Sequence, residues 1–316
     1  MNKIVDLVEN CPLCSGSSFN NFKLGLERCD TCGLILSPEI WHDHANERME
    51  EEWFGDEYIF EPSFWINLFQ SHNNRKVLSR LKVRGELLEI GIGSGSFLNS
   101  ARNSGFSVMG CDLSPAICRK VENQYDLSVH CGPVEEIEGR DCFDVVLMNH
   151  VLEHVQRPVD FLKVVERLLV PGGIIHIAVP NVKCWESALR GWASYEPYHL
   201  TYFDLETLTR AVEMAGFSCE SVRTYDSFSG WFLAALRTVM DVNKVHGAVI
   251  RPAGVATRTA SGRRNMVVEH AYRLAMLTVG GVITPFRRLQ GKLGYGDELV
   301  CIARKPELMN RRIRSG

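Results

Sequence analysis

The feature that most constrains the fold of this chain is an apolar strand that runs directly into a glycine-rich turn. Residues 86–98 read ELLEIGIGSGSFL, and the apolar run before the first glycine is typical of a buried parallel strand. Glycines let the backbone come close to a ligand, and the apolar residues after them begin a helix. A strand, a glycine turn and a helix in this order start a nucleotide-binding unit. The spacing differs from the G-x-G-x-x-G of dinucleotide sites, because Ser96 stands where the third glycine would be.

Strand and helix patterns continue to alternate after the glycine turn. The next strand patterns end at Asp112, at Cys131 and at Asn149. A fifth strand, IIHIAVPN, follows Pro-Gly-Gly, and a last strand, ELVCIARK, lies near the end of the chain. Regular alternation of this kind predicts an α/β fold with a doubly wound sheet.

The order of these motifs resembles that of the class I S-adenosylmethionine-dependent methyltransferases, over residues 75–227 and 297–305. The resemblance implies that the methionine and ribose parts of S-adenosylmethionine lie over the glycine turn. It also implies that Asp112 accepts hydrogen bonds from both ribose hydroxyls. In an alternative interpretation, Asp112 caps the helix that begins near Ser114. The predicted cofactor-binding residues are Glu89, Gly91, Gly93, Gly95, Asp112, Leu113, Val134, Glu135, Asn149 and His150.

Four of the eleven cysteines fall within the first 32 residues, as two C-x-x-C pairs. Each pair can present two thiolates from one tight turn, and two such turns can surround Zn²⁺ tetrahedrally. The segment is too small to bury a core of its own, so a metal would supply the missing stability. Four thiolates leave no open position, so the zinc is expected to be structural; a redox pair or unligated thiols are the alternatives. The predicted zinc ligands are Cys11, Cys14, Cys29 and Cys32.

Residues 40–66 mix acidic and aromatic side chains. A linker helix that packs on the main domain accounts for this composition. A lid whose aromatic side chains cover a pocket accounts for it equally well. The aromatic residues concerned are Trp41, Trp53, Phe54, Tyr58, Phe60, Phe64 and Trp65.

Two histidines and a glutamate follow the fourth strand, in NHVLEHV. Ligands bind outside the carboxyl ends of the strands in such sheets, and histidine is suited to proton transfer near neutral pH. The segment resembles the E-x-x-E-H metal site of small-RNA 2′-O-methyltransferases and ubiquinone-biosynthesis O-methyltransferases, except that His150 replaces the first glutamate. We predict catalytic roles for Glu153 and His154. A divalent metal site, or a purely structural tie to a neighbouring loop, is the alternative.

A further histidine, His199, lies in the stretch YEPYHLTYF. This stretch resembles the E-H-x-S-Y-F segment of the deoxysugar C-methyltransferases, which also carry a four-cysteine N-terminal zinc module. The histidine of that family lies over the acceptor and is a proposed base, so the resemblance implies a catalytic role for His199. Tyr198 stands where the family has a glutamate, so a C-methylation mechanism does not carry over whole. A hydrogen-bonded loop histidine is the alternative.

Residues 228–297 hold ten Lys and Arg residues against three Asp and Glu residues, although the net charge of the whole chain is -3. Three interpretations are open. The segment is a cap whose arginines meet a phosphate or diphosphate of the acceptor, a surface helix pair that touches anionic lipid, or a solvated face or dimer contact. Its apolar run at 274–286 is too short and too interrupted to span a bilayer.

These motifs together predict a doubly wound, Rossmann-like α/β sheet of seven strands, with a small N-terminal zinc ribbon and a helical insert before the last strand. The sequence shows neither a signal peptide nor an apolar run of spanning length. A cytoplasmic location is therefore expected. Peripheral contact with the inner face of the membrane is an additional hypothesis. The predicted segments are a zinc ribbon (1–38), a linker or lid (39–74), a cofactor-binding core (75–227), a basic helical cap (228–296), the final core strand (297–306) and a basic tail (307–316).

The sequence therefore predicts an S-adenosylmethionine-dependent methyltransferase with a structural zinc ion. The expected acceptor is a small molecule or a glycan, namely a nucleotide- or lipid-linked sugar of polysaccharide or natural-product biosynthesis. An RNA methyltransferase that uses the ribbon for recognition is one alternative, and a non-catalytic module that binds S-adenosylmethionine is another. The acidic segment after the ribbon argues against nucleic acid as a partner. A second copy of the chain, in a homodimer, is a further candidate partner.

Overall fold

The chain forms two compact units in a computed structural model. The first comprises Met1–Ala45, Val179–Thr207 and Arg223–Val300, and the second comprises Asn46–Ala178, Leu208–Val222 and Cys301–Gly316. The structure describes residues 5–41, 64–81, 83–196, 198–225, 230–240, 278 and 282–307. Most of the predicted lid (42–63), the middle of the predicted cap (241–277 and 279–281) and the end of the basic tail (308–316) lie outside the described residues.

The described residues form short strands near the N-terminus and alternating strands and helices after them. The strands are β1 (Val5–Leu7), β2 (Phe19–Asn21), β3 (Glu27–Cys29), β4 (Ile35–Leu36), β5 (Glu39–Trp41), β6 (Glu86–Ile90), β7 (Ser107–Asp112), β8 (Val129–Cys131), β9 (Phe143–Asn149), β10 (Leu169–Pro180), β11 (Thr201–Tyr202), β12 (Ser218–Tyr225) and β13 (Glu298–Arg304). The helices are α1 (Phe64–Leu81), α2 (Ser96–Asn103), α3 (Pro115–Tyr125), α4 (Pro158–Leu168), α5 (Leu205–Met214), α6 (Gly230–Val239) and α7 (282–292). Short 3₁₀ turns cover Val134–Glu136, Leu152–His154 and Trp185–Ala188.

Seven of these strands form one sheet in the order β12-β13-β10-β9-β6-β7-β8. The neighbouring pairs from β10 to β8 are all parallel. Because β7 and β8 extend from one side of β6, and β9 and β10 from the other, the strand order reverses between β6 and β9. Ligands bind at such a switch point, outside the carboxyl ends of the strands. The predicted seven-stranded α/β fold is confirmed.

The core of the second unit follows from the apolar pattern of β6 and the helix after it. Leu87 and Leu88 are fully buried, as expected for a strand with helices on both faces. α2 buries one face only, at Phe97, Leu98 and Ala101. The buried residues packed together here are Leu81, Leu87, Ile92, Phe97, Leu98, Ala101, Phe106, Ile117, Val121, Leu127, Val145 and Leu147.

The N-terminal segment of the first unit shares a sheet with residues much later in the chain. Strands β2 and β3 form the hairpin between the cysteine pairs, with Phe19 opposite Cys29. Strand β11 pairs antiparallel with β4 and completes a sheet in the order β11-β4-β3-β2. The buried residues packed together here are Leu26, Ile35, Val182, Cys184, Trp192, Tyr195 and Tyr202. The cysteine-bearing segment therefore shares both its sheet and its core with residues 182–202.

Candidate functional site

The glycine turn between β6 and α2 has a backbone conformation that only glycine adopts readily. Gly91 has a φ of 74° and Gly95 a φ of 69°, both in the left-handed region. A Cβ at Gly91 would lie 2.5 Å from Cγ2 of Val151, and one at Gly95 would lie 2.7 Å from Cγ1 of Val121. A Cβ at Gly93 would meet nothing within 4 Å in the described part of the chain. The turn is thus packed at its two ends and open at its middle glycine.

The Asp112 carboxylate connects the end of β7 to the glycine turn. Its Oδ2 accepts a hydrogen bond from the backbone N–H of Ile92 at 3.0 Å, and its Oδ1 accepts one from that of Ser114 at 3.0 Å. The N-cap of α3 is Ser114, whose hydroxyl accepts from the backbone N–H of Ile117. Asp112 therefore lies beside the turn, with its orientation set by two backbone donors.

Glu89, in β6 two residues before Gly91, carries a second carboxyl group. Its side chain is 4% exposed, and its Oε2 has no hydrogen-bond partner among the described residues. Burial raises the pKa of Glu89 well above 4.5, the negative charge of Asp112 raises it further, and a backbone hydrogen bond at Leu98 opposes the shift. A buried polar atom without a partner is rare in native proteins, and a cationic ligand group would satisfy this one.

The remaining predicted cofactor residues follow the ends of β7, β8 and β9 in the second unit. Leu113 is 56% exposed, whereas Val134 is buried in the 3₁₀ turn after β8. The backbone N–H of Gly132 donates to the carbonyl of Asp112 at 3.0 Å, which ties the end of β8 to that of β7. Glu135 is exposed in the same 3₁₀ turn, and Asn149 is half-buried as the last residue of β9. These residues therefore all belong to the edge at which ligands bind in sheets of this type.

His150 and Glu153 contact each other directly after β9. His150 has a φ of 55°, and its Nδ1 lies 3.2 Å from Oε1 of Glu153, whose side chain is 1% exposed. Its backbone N–H donates to the carbonyl of Ala178 at 2.8 Å, which anchors the bend to β10. Glu153 and His154 share the 3₁₀ turn Leu152–His154. The predicted pair of histidines and glutamate thus stands at the carboxyl end of β9, with the carboxylate buried.

His199 lies in the first unit and is 7% exposed. Its Nδ1 lies 2.8 Å from the backbone carbonyl of Ser194. Because a carbonyl only accepts hydrogen bonds, Nδ1 carries the proton, and the lone pair of the neutral ring is on Nε2. The ring meets Tyr202 edge to face at 5.9 Å, and the next residue, Leu200, accepts a hydrogen bond from the backbone N–H of Ser37. The histidine is therefore held in one tautomer, on a segment attached to strand β4.

The four predicted zinc ligands come together at one point of the first unit. Their Sγ atoms all lie within 4.8 Å of one another, with 3.5 Å between Cys11 and Cys32 and between Cys14 and Cys29. Thiolates around a tetrahedral zinc ion at about 2.3 Å lie about 3.8 Å apart, so the arrangement fits this ion. Gly33, directly after the second pair, has a φ of 78°, a conformation that glycine tolerates. The predicted four-cysteine cluster is confirmed.

Two groups of the site had no signal in the sequence. They are the N–H of Ile92, which holds Asp112, and the carbonyl of Ser194, which sets the tautomer of His199. Both are backbone groups, which every residue carries. Only the course of the chain decides which of them reach a functional side chain.

Comparison with known proteins gives a family and a set of relatives. Residues 58–222, slightly more than half of the chain, match a family described as a methyltransferase domain. Among curated proteins, the ubiquinone biosynthesis O-methyltransferase of Caulobacter vibrioides is 36% identical over 102 residues, which are 30% of this chain and 40% of the relative. That of Rhodopseudomonas palustris is 33% identical over 119 residues, which are 36% of this chain and 46% of the relative. The chain thus spans less than half the length of these relatives.

A solved structure shows the same fold. The crystal structure of a SAM dependent methyltransferase from Archaeoglobus fulgidus superimposes with a TM-score of 0.50 at 18% sequence identity. The match covers 83% of this chain and 100% of the other one. At this level of identity, the similarity establishes the arrangement of strands and helices.

Proposed function

Because this chain belongs to the methyltransferase domain family, we propose that it transfers the methyl group of S-adenosylmethionine to a hydroxyl group of a small-molecule or glycan acceptor. The observation that carries the proposal is the set of groups at the switch point of the sheet. There a turn with positive-φ glycines lies between two carboxyl groups in the sequence, that of Glu89 in the strand before it and that of Asp112 at the end of the next strand. The relatives named O-methyltransferases support oxygen as the atom that is methylated.

The residues at this edge of the sheet fit S-adenosylmethionine. The buried Oε2 of Glu89, which has no partner among the described residues, suits an ammonium group. A carboxylate offers about four acceptor positions, so ribose hydroxyls can share Asp112 with the two backbone N–H groups that orient it. When bound, S-adenosylmethionine supplies a sulfonium methyl group that is ready for in-line displacement. The chain itself then has to position the acceptor and accept its proton.

Removing the Asp112 carboxylate is expected to weaken the binding of S-adenosylmethionine about tenfold to a hundredfold, because hydrogen bonds to a charged group contribute about 1.5–3 kcal/mol. Isothermal titration calorimetry of Asp112→Ala measures the loss, and Asp112→Asn, which keeps an acceptor for the backbone donors, should lose less. As a control, Asp160→Ala removes an exposed carboxylate of α4 that pairs with Arg157, the residue before that helix. Unchanged affinity in Asp112→Ala would show that the ribose assignment is wrong.

Affinity for S-adenosylmethionine is also expected to fall as the pH decreases through the raised pKa of Glu89. The protonated carboxyl group cannot pair with an ammonium group, and a bound cation favours the ionised form, so binding should release a proton. Titrations in two buffers with different enthalpies of ionisation measure this release. Glu89→Gln should abolish it, whereas Glu122→Gln, on the exposed side of α3, should not. Equal enthalpies in both buffers at a pH near the pKa would exclude this role for Glu89.

His199 is the residue that we propose as the proton acceptor. Nδ1 is protonated through its contact with Ser194, so Nε2 is the ring nitrogen that can take the proton of an attacking hydroxyl group. Bound S-adenosylmethionine would supply the methyl group to the acceptor oxygen and leave as S-adenosylhomocysteine, and Nε2 of His199 would take the hydroxyl proton. We also propose that Glu153 and His154, after the end of β9, take part in catalysis. The buried carboxylate of Glu153 is held in place by its contact with Nδ1 of His150.

Two classes of acceptor are proposed. A sugar hydroxyl, on a nucleotide- or lipid-linked glycan, is supported by the likeness of the His199 segment to deoxysugar methyltransferases. A phenolic hydroxyl is supported by the relatives that are named for ubiquinone biosynthesis. The formation of S-adenosylhomocysteine with UDP- and dTDP-linked hexoses, and in parallel with catechols, separates the two. If the protein methylates transfer RNA or ribosomal RNA but neither the sugar nucleotides nor the catechols, both proposed acceptor classes are wrong.

We further propose that the four-cysteine cluster binds a structural zinc ion. The support is that four Sγ atoms lie within 4.8 Å of one another, which is the number of ligands that a closed structural zinc site takes. Zinc at this position would hold together the sheet that β4 and β11 share.

A further inference from the structure

Helix α7, in the first unit, turns polar side chains towards the interior. Gln290 is fully buried, and its Nε2 donates to Oε2 of Glu186 at 2.7 Å and to the carbonyl of Tyr295 at 2.7 Å. The indole Nε1 of Trp231 donates to Oε1 of Gln290 at 3.0 Å. Arg287 is 5% exposed, and its Nη2 lies 3.8 Å from Oε1 of Glu186. Buried polar groups that are hydrogen-bonded in this way define one rotation of the helix about its axis.

That rotation leaves a stripe of apolar side chains half to mostly exposed, although one of them, Phe286, also packs against Trp185 with 5.3 Å between the ring centroids. Four residues of α7 and the turn after it are 48–82% exposed. At 3.6 residues per turn they lie within about 60° of one another around the axis. We call them the apolar stripe; its members are Val282, Phe286, Leu289 and Leu293. A soluble helix normally faces the other way, with its apolar stripe towards the core.

Cationic side chains flank the stripe on one side. By the same helix geometry, Arg288 and Lys292 lie on the flank of the stripe that is remote from the buried residues Arg287 and Gln290. Both are exposed, and residues 282–296 contain no Asp or Glu. An exposed apolar stripe with cations beside it is the arrangement of helices that lie in the interface of a membrane.

We propose that the apolar stripe is a docking surface for an anionic lipid bilayer, in which Phe286 and Leu289 enter the region between headgroups and acyl chains. Charge complementarity favours this occupant, because Arg288 and Lys292 would meet anionic headgroups. Two copies of the chain that met through their stripes would instead bring four like charges close together. The inference goes beyond the proposed methyl transfer, and the binding that it describes requires neither cofactor nor acceptor.

The sequence that leads into the stripe also fits a helix at the membrane interface. Residues 274–286 carry no charged side chain, and an apolar run of this length is typical of an interfacial or buried segment rather than of a spanning helix. In the part of the chain that the structure describes, no helix is both long and apolar enough to cross a membrane. Docking would therefore be peripheral and reversible.

Co-sedimentation with lipid vesicles tests the proposal on the full chain. The protein should sediment with vesicles of phosphatidylcholine mixed with phosphatidylglycerol, and much less with vesicles of phosphatidylcholine alone. Higher salt should weaken the binding, because the attraction of Lys and Arg to anionic lipid is screened. Equal binding to both vesicles would contradict the role of the cations, and binding to neither would overturn the proposal.

Paired variants assign the binding to the stripe. Phe286→Ser with Leu289→Ser should weaken binding to anionic vesicles about a hundredfold, since each large apolar side chain contributes roughly tenfold. Arg288→Gln with Lys292→Gln should weaken it about fivefold for each charge removed. The matched controls are Met214→Ser, exposed at the end of α5, and Arg119→Gln with Lys163→Gln, exposed on α3 and α4. These controls should bind as the unchanged protein does.

Two further measurements distinguish other occupants of the stripe. If the protein ignores vesicles and Phe286→Ser with Leu289→Ser lowers its unfolding temperature, the chain itself covers the stripe and the proposal is wrong. If sedimentation equilibrium shows a dimer that the same substitutions dissociate, the stripe is an interface between copies. Calorimetry with S-adenosylmethionine on the same variants keeps the two proposals apart, because cofactor binding should be unchanged in all of them.

Discussion

Replacing His199 by glutamine is expected to lower the rate of methyl transfer about a hundredfold to ten-thousandfold, the range for loss of a general base. In the unchanged protein, the carbonyl of Ser194 accepts a hydrogen bond from Nδ1–H of His199. A glutamine amide can still donate to this carbonyl, but the amide cannot take up a proton. Affinity for S-adenosylmethionine should be unchanged. The measurement is the rate of S-adenosylhomocysteine formation with whichever acceptor class is found active. The corresponding control is His72→Gln, an exposed histidine on α1.

The pH profile of kcat/KM separates a base from a structural histidine at this position. If His199 accepts the proton, the fall in rate on the acid side of the profile should disappear in His199→Gln. If the histidine only holds its loop, the rate and the unfolding temperature should fall together and the shape of the profile should persist. A rate equal to that of the unchanged protein would mean that another group takes the proton.

Replacing Cys29 by serine is expected to remove the zinc ion and to unfold the sheet formed by β2, β3, β4 and β11. Binding of a structural zinc ion releases about 10–16 kcal/mol in small zinc-finger peptides, which exceeds what strands of two or three residues can supply. Because β11 pairs with β4, the loss should extend to residues 201–202. Zinc content by mass spectrometry and hydrogen exchange at Ser37, Thr201 and Tyr202 measure it.

A matched substitution of a cysteine outside the cluster shows whether the effect comes from the metal. Cys142 is exposed, lies outside the four-cysteine cluster, and its thiol donates to the backbone carbonyl of Arg140 at 3.3 Å. Cys142→Ser should therefore keep both the zinc ion and the protection from exchange. If the purified protein holds no zinc, or if Cys29→Ser exchanges hydrogen as slowly as the unchanged protein, the zinc proposal is wrong. Loss of zinc without any change at residues 201–202 would show that β11 is held by its apolar neighbours alone.

Much of the cofactor edge could be predicted because its signals are local. Positive φ at Gly91 and Gly95 follows from residue type and position in a strand–turn–helix unit. The place of Asp112 follows from its position at the end of a strand pattern. Its two backbone partners could not be predicted, since the N–H of Ile92 reaches it only after β6 and β7 have paired.

The insert shows the opposite case. From the sequence, α7 is an apolar helical pattern with basic residues, which is equally compatible with a cap, a lipid contact or a solvated face. Gln290 and Glu186 are far apart in the sequence, yet their side chains form a buried hydrogen bond. This bond determines which side of α7 faces the interior. No periodicity indicates this, because the partner that orients the helix comes from another part of the chain.

By itself, the sequence determined the α/β alternation, the seven-stranded sheet, the glycine turn and the pairing of four cysteines. These features depend on the period of apolar residues, on residues that tolerate positive φ, and on spacings within a few residues. Only the tertiary structure decided that Thr201–Tyr202 joins the sheet of the cysteine segment, that Ser194 sets the tautomer of His199, and that α7 turns its apolar stripe outward. Each of these depends on hydrogen bonds between distant parts of the chain, whose backbone groups are chemically alike and carry no mark in the sequence.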